Sequence, residues 1–384
     1  MARTRSYPHA VLCALGIALF ATPAHAGVVN PDISVVGQPF SRWTTDPGDP
    51  ARKRVTLDVG ETELIFDAAL NPYARGTFTA SLTAGGIELE EGFFLLTRGL
   101  PWGLSVKGGK YRVPFGKLNP AHPHTYPFAD RFGVLQAYLP GQESFDETGV
   151  ELSKLVGLPH DIALTVSADW LKGDTFRIAR TPGPASNDPL AADPASGDQQ
   201  NEPRPGALGR IATFVPIGER SGIELGVSGT SGTNNVAAGT RSTVLGGDAK
   251  LKYWTSPGAY LLVQGEVLHL DRQNAAWDSS LTAYAHSDVT PFGGYLFADY
   301  NWATRYDVGA SYEHWQDPTP DQTGNQSFGA FAGLALMEET TSFRLDWRAT
   351  RPGRPPGATQ DPETIHTITL RVLFSMGPHK AHQF

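Results

Sequence analysis

The chain has 384 residues, 31 basic and 39 acidic side chains, a formal charge of −8 and a single cysteine, Cys13. An acidic balance of this kind argues against a nucleic-acid partner. One cysteine excludes an intrachain disulfide and a cysteine-ligated zinc centre.

Arg3 and Arg5 precede an uncharged apolar stretch over 10–20, followed by Ala24-His25-Ala26. A basic start, an apolar core and small residues before a cleavage point describe a secretory signal peptide, expected to span 1–26. The apolar stretch is too short for a membrane anchor, which takes roughly 20 residues. Cys13 lies inside that stretch rather than at its end, which argues against a lipoprotein. Cleavage after Ala26 leaves 29 basic and 39 acidic residues, a net charge of −10, and no thiol for catalysis.

Beyond residue 26 the dominant period is two, which marks strands. Ala74, Gly76, Phe78, Ala80 and Leu82 alternate with Arg75, Thr77, Thr79, Ser81 and Thr83. Ile162, Leu164, Val166, Ala168 and Trp170 alternate with Ala163, Thr165, Ser167 and Asp169. The same holds for Tyr306 to His314 and for Phe343, Leu345 and Trp347 against Arg344, Asp346 and Arg348. Near the end, His366, Ile368, Leu370, Val372, Phe374 and Met376 oppose Thr367, Thr369 and Arg371, and the chain finishes on Phe384. Segments of about ten residues suit tilted strands crossing a bilayer.

The links support the same reading. Tight turns at Asn71-Pro72-Tyr73, 100–103, 157–160, 218–221, 255–258, Trp302-Ala303 and Glu338-Glu339 alternate with longer polar links. The long links fall at 44–58, 115–147, 173–204, 232–240, 271–287, 316–326 and 352–362, and only the Gly85-Gly86 turn breaks the alternation. Short periplasmic turns and longer external loops are the asymmetry of an outer-membrane barrel. The expected fold is all-β: a transmembrane antiparallel up-and-down β-barrel over 27–384, of about sixteen strands within a range of 14–18. A soluble β-sandwich or β-helix would also alternate, but has no reason to alternate short and long links. Trp170, Tyr253, Trp254, Tyr300, Trp302, Tyr306, Tyr312, Trp315 and Trp347 are expected to form girdles at headgroup level. A mean hydropathy of −0.25 fits a wall that meets lipid with alternate residues only. Barrels of about sixteen strands leave an aqueous channel.

Several runs carry a family resemblance: Asn30-Pro31-Asp32-Ile33-Ser34, Gly60-Glu61-Thr62-Glu63-Leu64, Leu89-Glu90-Glu91, Lys107-Gly108-Gly109-Lys110-Tyr111-Arg112, Phe115-Gly116-Lys117-Leu118-Asn119, His122-Pro123-His124, Pro127-Phe128-Ala129-Asp130 and the tail from Gly377. Together they resemble a poorly characterised family of outer-membrane barrels similar to phosphate-selective porins, whose members are often labelled zinc-regulated TonB-dependent outer membrane receptors. The resemblance implies a barrel strongly and a substrate weakly. A TonB-dependent receptor needs a 22-stranded barrel and a folded plug, and the chain is too short for both.

Period two places Glu61, Glu63, Asp67, Arg75, Glu224, Asp248, Lys250, Lys252, Glu266, Arg305, Asp307, Glu313, Arg344, Asp346, Arg348 and Arg371 on the polar, inward face. Charged rings set ion preference in such pores, but these are mixed in sign. Lys107, Lys110 and Arg112 form a basic cluster leading into the proline-rich link 115–147, with Lys107 on the opposite face unless a bulge intervenes. Lys107, Lys110, Arg112, Arg75, Arg344 and Arg348 are the candidate solute-contacting residues, and 115–147 is expected either to fold inward and narrow the bore or to pack over the rim. His122 and His124 are weak metal candidates: zinc takes three or four ligands, and no further ligand spacing is specific. His379 and His382 are weaker still. The 173–204 link is rich in Pro, Asp, Ala and Ser and reads as a mobile external loop.

The expected function is passive diffusion of small solutes, with anions a candidate class and the ionic preference left open, through a porin-like channel. The competing readings are a structural or adhesive barrel without an open bore and a receptor related to metal uptake. No G-x-S-x-G nucleophile motif is present, and neither catalysis nor a cofactor is expected. The expected partners are outer-membrane lipid and lipopolysaccharide, the barrel assembly machinery and small solutes. A homotrimer is compatible with the resemblance, since many porins trimerise.

Overall fold

The computed structural model describes residues 31–141, 144–177, 203–236, 238–277, 284–337 and 340–377. The expected signal peptide, most of the 173–204 link, the Glu338-Glu339 turn, and the tail with His379, His382 and Phe384 lie outside them.

Among the described residues, nineteen hydrogen-bonded segments form one antiparallel sheet that closes on itself. Three strands are each interrupted once, so the segments make sixteen strands. The first four are β1 (Asp32–Gly37 and Phe40–Thr44), β2 (Val55–Asp58 and Thr62–Ala69), β3 (Ala74–Thr83) and β4 (Gly86–Leu96). Then follow β5 (Leu104–Arg112), β6 (Asp146–Gly157), β7 (Ala163–Leu171), β8 (Gly206–Ile217), β9 (Ser221–Asn235) and β10 (Thr240–Ser256). The last six are β11 (Ala259–Trp277), β12 (Tyr284–Val289 and Phe292–Trp302), β13 (Tyr306–Gln316), β14 (Gly324–Met337), β15 (Thr341–Arg351) and β16 (Ile365–Met376). Sequence neighbours pair throughout. β1 closes the ring against β16, with Val35 opposite Met376 and Thr44 opposite Thr367. Closure leaves no unpaired edge, the condition for a sheet to span lipid. The interruptions in β1 and β12 contain Pro39 and Pro291. Proline has no N–H for the ladder, but its carbonyl still accepts: Val372 N donates to Pro39 O at 2.9 Å and Leu270 N to Pro291 O at 3.0 Å.

Within the strands the two-residue period assigns the faces as expected, whereas Arg305, expected inward, lies at an exposed turn. In β15, Leu345 is 50% exposed on the outer face and Asp346 only 3% exposed on the inner one. Val166 and Trp170 of β7 point out, whereas Ser167 and Asp169 are buried inside. Two aromatics expected in the girdles belong elsewhere. Trp315 follows inward-facing Glu313 by two residues and packs on the interior core. Trp254 lies one residue past outward-facing Tyr253 and packs on the Tyr260 ring at 5.1 Å. Parity along the strand decides both, and proximity to a strand end does not.

The links alternate as anticipated, with a revision in length. β9, β10 and β11 run to 15, 17 and 19 residues. The links expected at 232–240 and 271–287 are therefore largely strand, because the hydrogen-bond ladder continues past the depth lipid requires. The short turn expected at Gly85-Gly86 is present one residue earlier, at 84–85, with Gly86 already in β4. Among the described residues no helix is long and apolar enough to cross a membrane.

A charge on the outer band meets hydrocarbon. Leu345→Arg is expected to destabilise the barrel by about 2–4 kcal/mol, read as a shift in the urea midpoint for folding into lipid vesicles. An unchanged midpoint would place Leu345 away from the bilayer.

Candidate functional site inside the barrel

The link between β5 and β6 does not pack over the rim. It enters the barrel and builds the only large apolar core among the described residues. Val113, Phe115, Phe128, Phe132, Val134, Leu135 and Phe145 are each 0–1% exposed, packed on inward-facing Leu268, Leu270, Tyr295, Phe297 and Phe331 of the wall. Phe132 stacks on Tyr295 at 4.1 Å, and Phe128 meets Phe297 edge-on at 5.2 Å. Apart from one turn of 3-10 helix at Pro123–Thr125 and a short α-helix, α1 (Gly133–Tyr138), the described residues of the segment have no regular structure.

A buried irregular backbone must find partners for its N–H and C=O groups, and here the wall supplies them by sign. Carboxylates take the N–H groups. Glu266 of β11 accepts from Lys117 N at 2.8 Å and Leu118 N at 2.7 Å, and from the Tyr295 hydroxyl at 2.7 Å. Glu313 of β13 accepts from Gly133 N at 2.6 Å. Arginines take the carbonyls. Arg371 of β16 donates to the oxygens of Pro123, Tyr126 and Phe128 at 2.9–3.2 Å. Arg344 donates to His124 O at 3.0 Å and to Tyr126 O, and Arg348 to Asp130 O at 2.7 Å and Arg131 O at 3.3 Å. Gly116 makes the approach to Glu266 feasible: its φ is +62°, and a Cβ there would sit 2.0 Å from Glu266 Oε2. Asn119 closes the base of the loop, donating to Val113 O and Phe145 O at 2.8 and 2.9 Å.

The loop also crosses the bore. Its start is held by β9, where Gly116 N donates to Ser228 Oγ at 3.2 Å, and by β11 through Glu266. Six residues further on, His122 reaches Glu91 of β4 at 3.0 Å and His124 reaches Glu63 of β2 at 2.8 Å. β11 and β4 are seven places apart in a ring of sixteen, so they face each other across the bore.

The candidate basic residues do not converge. Lys107 pairs with Glu151 at 3.1 Å and lies over the Phe93 and Tyr111 rings. Lys110 pairs with Asp146 at 2.8 Å, and Arg112 with Glu90 at 2.9 Å. The register between β5 and β6 runs unbroken across Gly108-Gly109, so Lys107 keeps the opposite face. Arg75 pairs with Asp67 on the wall. Arg344 and Arg348 point inward, but their guanidinium groups are engaged by loop carbonyls. His122 and His124 do come together, with rings stacked at 5.6 Å. Burial and Arg112 favour the neutral His122 ring, but Glu63 and Glu90 outweigh them and hold it well above the ordinary imidazole pKa. Burial pushes the Tyr138 hydroxyl up to about 12. Sequence reading missed Arg42 and Lys117. Arg42 of β1 pairs with loop Asp130 at 2.8 Å, and loop Lys117 pairs with Glu224 of β9. No periodic signal identifies them, because one partner of each pair sits on an irregular segment.

No protein-family model matches the chain. An uncharacterised protein of Aquifex aeolicus (strain VF5) is 29% identical over 257 residues, covering 64% of this chain and 51% of that protein. The chain thus spans about half the length of this curated relative. Among solved structures it is similar to the anion-selective porin from Comamonas acidovorans (TM-score 0.58, 10% identity, 91% of this chain and 100% of that one). It is also similar to the outer membrane channel DcaP of Acinetobacter baumannii (TM-score 0.55, 8% identity, 91% and 97%). A third is the trimer form of OmpT of Vibrio cholerae (TM-score 0.52, 8% identity, 90% and 99%). At these identities the likeness establishes the fold, which is that of outer-membrane porins. The TonB-dependent receptor label finds no support: the barrel has sixteen strands, and its interior is occupied by its own β5–β6 loop.

Removing an anchor leaves buried groups unpaired. Glu266→Ala is expected to cost about 1–3 kcal/mol for each stranded donor and to open 113–141 to protease in the folded barrel. Glu219→Ala, at an exposed turn, serves as the control and should leave both readouts unchanged. Equal behaviour of the two variants would mean that Glu266 does not hold the loop.

Proposed function

We propose that the chain is an outer-membrane channel through which small solutes, anions included, diffuse passively. The observation that carries this is the wetness of two ion pairs between the inner face of the wall and the loop. The side chains of Arg42 and Asp130 are 36% and 32% exposed, and those of Lys117 and Glu224 are 26% exposed. Water reaches both pairs, and each sets a loop residue against the wall. A packed interior would have buried them.

Selection by size then outweighs selection by sign. A fixed charge favours its counter-ion most strongly when it is unpaired and lies in a narrow part of a pore. Lys107, Lys110 and Arg112 each have a carboxylate partner, so the anion preference expected of the basic cluster is weak. The proposed activity requires no cofactor. A homotrimer is the assembly we propose, on the strength of the similar OmpT barrel in its trimer form. One observation favours the competing reading of a structural or adhesive barrel: the loop touches nearly opposite walls, which leaves less of the bore free.

Conductance across a planar bilayer separates the two. Discrete steps are expected from the parent, with larger steps when 120–140 is removed. Exchange of Lys110 and Arg112 for Gln is expected to move the reversal potential only slightly toward cations at low salt. That shift should vanish near 1 M, where screening acts within roughly 3 Å. A folded barrel that inserts but passes no current would favour the structural reading.

A further inference from the structure

The junction where the loop meets β2 and β4 holds a cluster that the channel does not use. His124 Nδ1 lies 2.8 Å from Glu63 Oε1. His122 Nδ1 lies 3.1 Å from Glu63 Oε2 and 3.3 Å from Glu90 Oε2. One ligand atom from each of Glu63, His122 and His124 falls within 4.8 Å of the others. Glu63 is fully buried, yet its Oε2 has no aligned hydrogen bond, and neither has His122 Nδ1 beside it. The two atoms face one another at 3.1 Å.

We propose that Glu63, His122 and His124, with Glu90 as a fourth donor, bind a first-row divalent cation of the zinc type. Zinc bonds of about 2.0–2.1 Å at tetrahedral angles set ligand atoms roughly 3.3 Å apart; His122 Nδ1 is 3.1 Å from Glu63 Oε2 and 3.3 Å from Glu90 Oε2, and His124 offers a ligand atom within 4.8 Å of those of Glu63 and His122. Imidazole with carboxylate suits zinc and its neighbours, whereas calcium and magnesium take oxygen donors. The surroundings match as well. A ligating histidine normally gives its second ring nitrogen to a carboxylate, and His122 Nε2 meets Glu91 Oε2 at 3.0 Å.

The backbone is arranged to the same end. Successive strand residues point to opposite faces, so Glu90 and Glu91 could not both reach one imidazole in a regular strand. The β3–β4 register slips here: Thr79 opposes Glu91 and Ala80 opposes Leu89, leaving Glu90 as an extra residue. This β-bulge re-aims one side chain, as bulges beside functional sites do. It brings both carboxylates to His122. Arg112 pairs with Glu90, and Glu63 and Glu91 crowd the same few ångströms, negative charge that a cation, whether a metal or an imidazolium, would offset. The rival arrangement is a pair of imidazolium rings held by the same carboxylates with no metal.

The test uses the full chain folded in detergent, stripped with chelator and titrated calorimetrically with Zn²⁺, with Mg²⁺ as the oxygen-preferring control. One zinc per barrel is expected, with no magnesium response. Glu91→Gln should weaken zinc binding roughly 10–100-fold, the usual loss when a supporting partner of a ligand is removed. The His122→Gln/His124→Gln double variant should lose stoichiometric binding. A double variant that binds zinc as tightly as the parent overturns the proposal, since histidines elsewhere, such as His160 or His366, would then account for the heat. Where the double variant does not fold, judged by heat-modifiable gel migration, Co²⁺ added to the parent decides. Intense visible bands of a low-coordinate cobalt centre support the site, and the pale spectrum of hydrated cobalt overturns it.

Discussion

The structure turns on one requirement: an irregular stretch of backbone laid inside a barrel must have its polar groups satisfied by the wall. Water would otherwise be needed at each N–H and C=O, and the aromatic core around Phe128 and Phe132 excludes it. The wall meets the requirement with charged side chains, the strongest donors and acceptors available. Glu266 and Glu313 receive N–H groups, while Arg344, Arg348 and Arg371 give to carbonyls. Lining and anchoring are therefore the work of the same residues. That is why so many inward charges are deeply buried in a barrel that still admits water beside Arg42 and Lys117.

The fold was legible in the sequence because a transmembrane strand must do two visible things. It alternates lipid-facing with inward-facing residues, and it connects by short turns on one side and longer links on the other. Leu345 and Asp346 could be assigned to faces by parity alone. Parity also corrects the placement of Trp315, since Glu313 two residues earlier already points inward. The lengths of β9 to β11 were not legible, because polar residues such as those of 232–235 serve equally well in a hairpin extending beyond the bilayer and in a loop.

The site was legible only in part, for a reason rooted in geometry. Sequence assigns a side chain to a face but does not say what waits there. Arg344 and Arg348 are inward as expected, yet their partners are carbonyls of a loop some 220 residues away in the chain. Aromatic and proline content marked 115–147 as something other than a solvated loop, and that is the signal for its inward path. The bulge at Glu90 left no trace in the pattern, because Glu90-Glu91 reads equally well as one inward and one outward residue. His122 and His124 had too few visible ligands for the same reason: their carboxylate neighbours sit on β2 and β4, far away in sequence.

The two ends of the crossing segment are held by different chemistry, and this bears on how the loop sets the bore. On the β11 side, Glu266 gathers two backbone N–H groups and a tyrosine hydroxyl, and Gly116 lets the chain approach closely enough for that to happen. This end needs no titratable group on the loop itself. On the β2 and β4 side the loop contributes imidazoles, and the wall contributes a surplus of carboxylates. Whatever balances that surplus, proton or metal, is required for His122 and His124 to stay where they are, since the carboxylates otherwise repel one another at short range. The first anchor is therefore built into the fold, and the second depends on a small cation. The strut across the bore is thus held at one end by backbone donors and at the other by balanced charge.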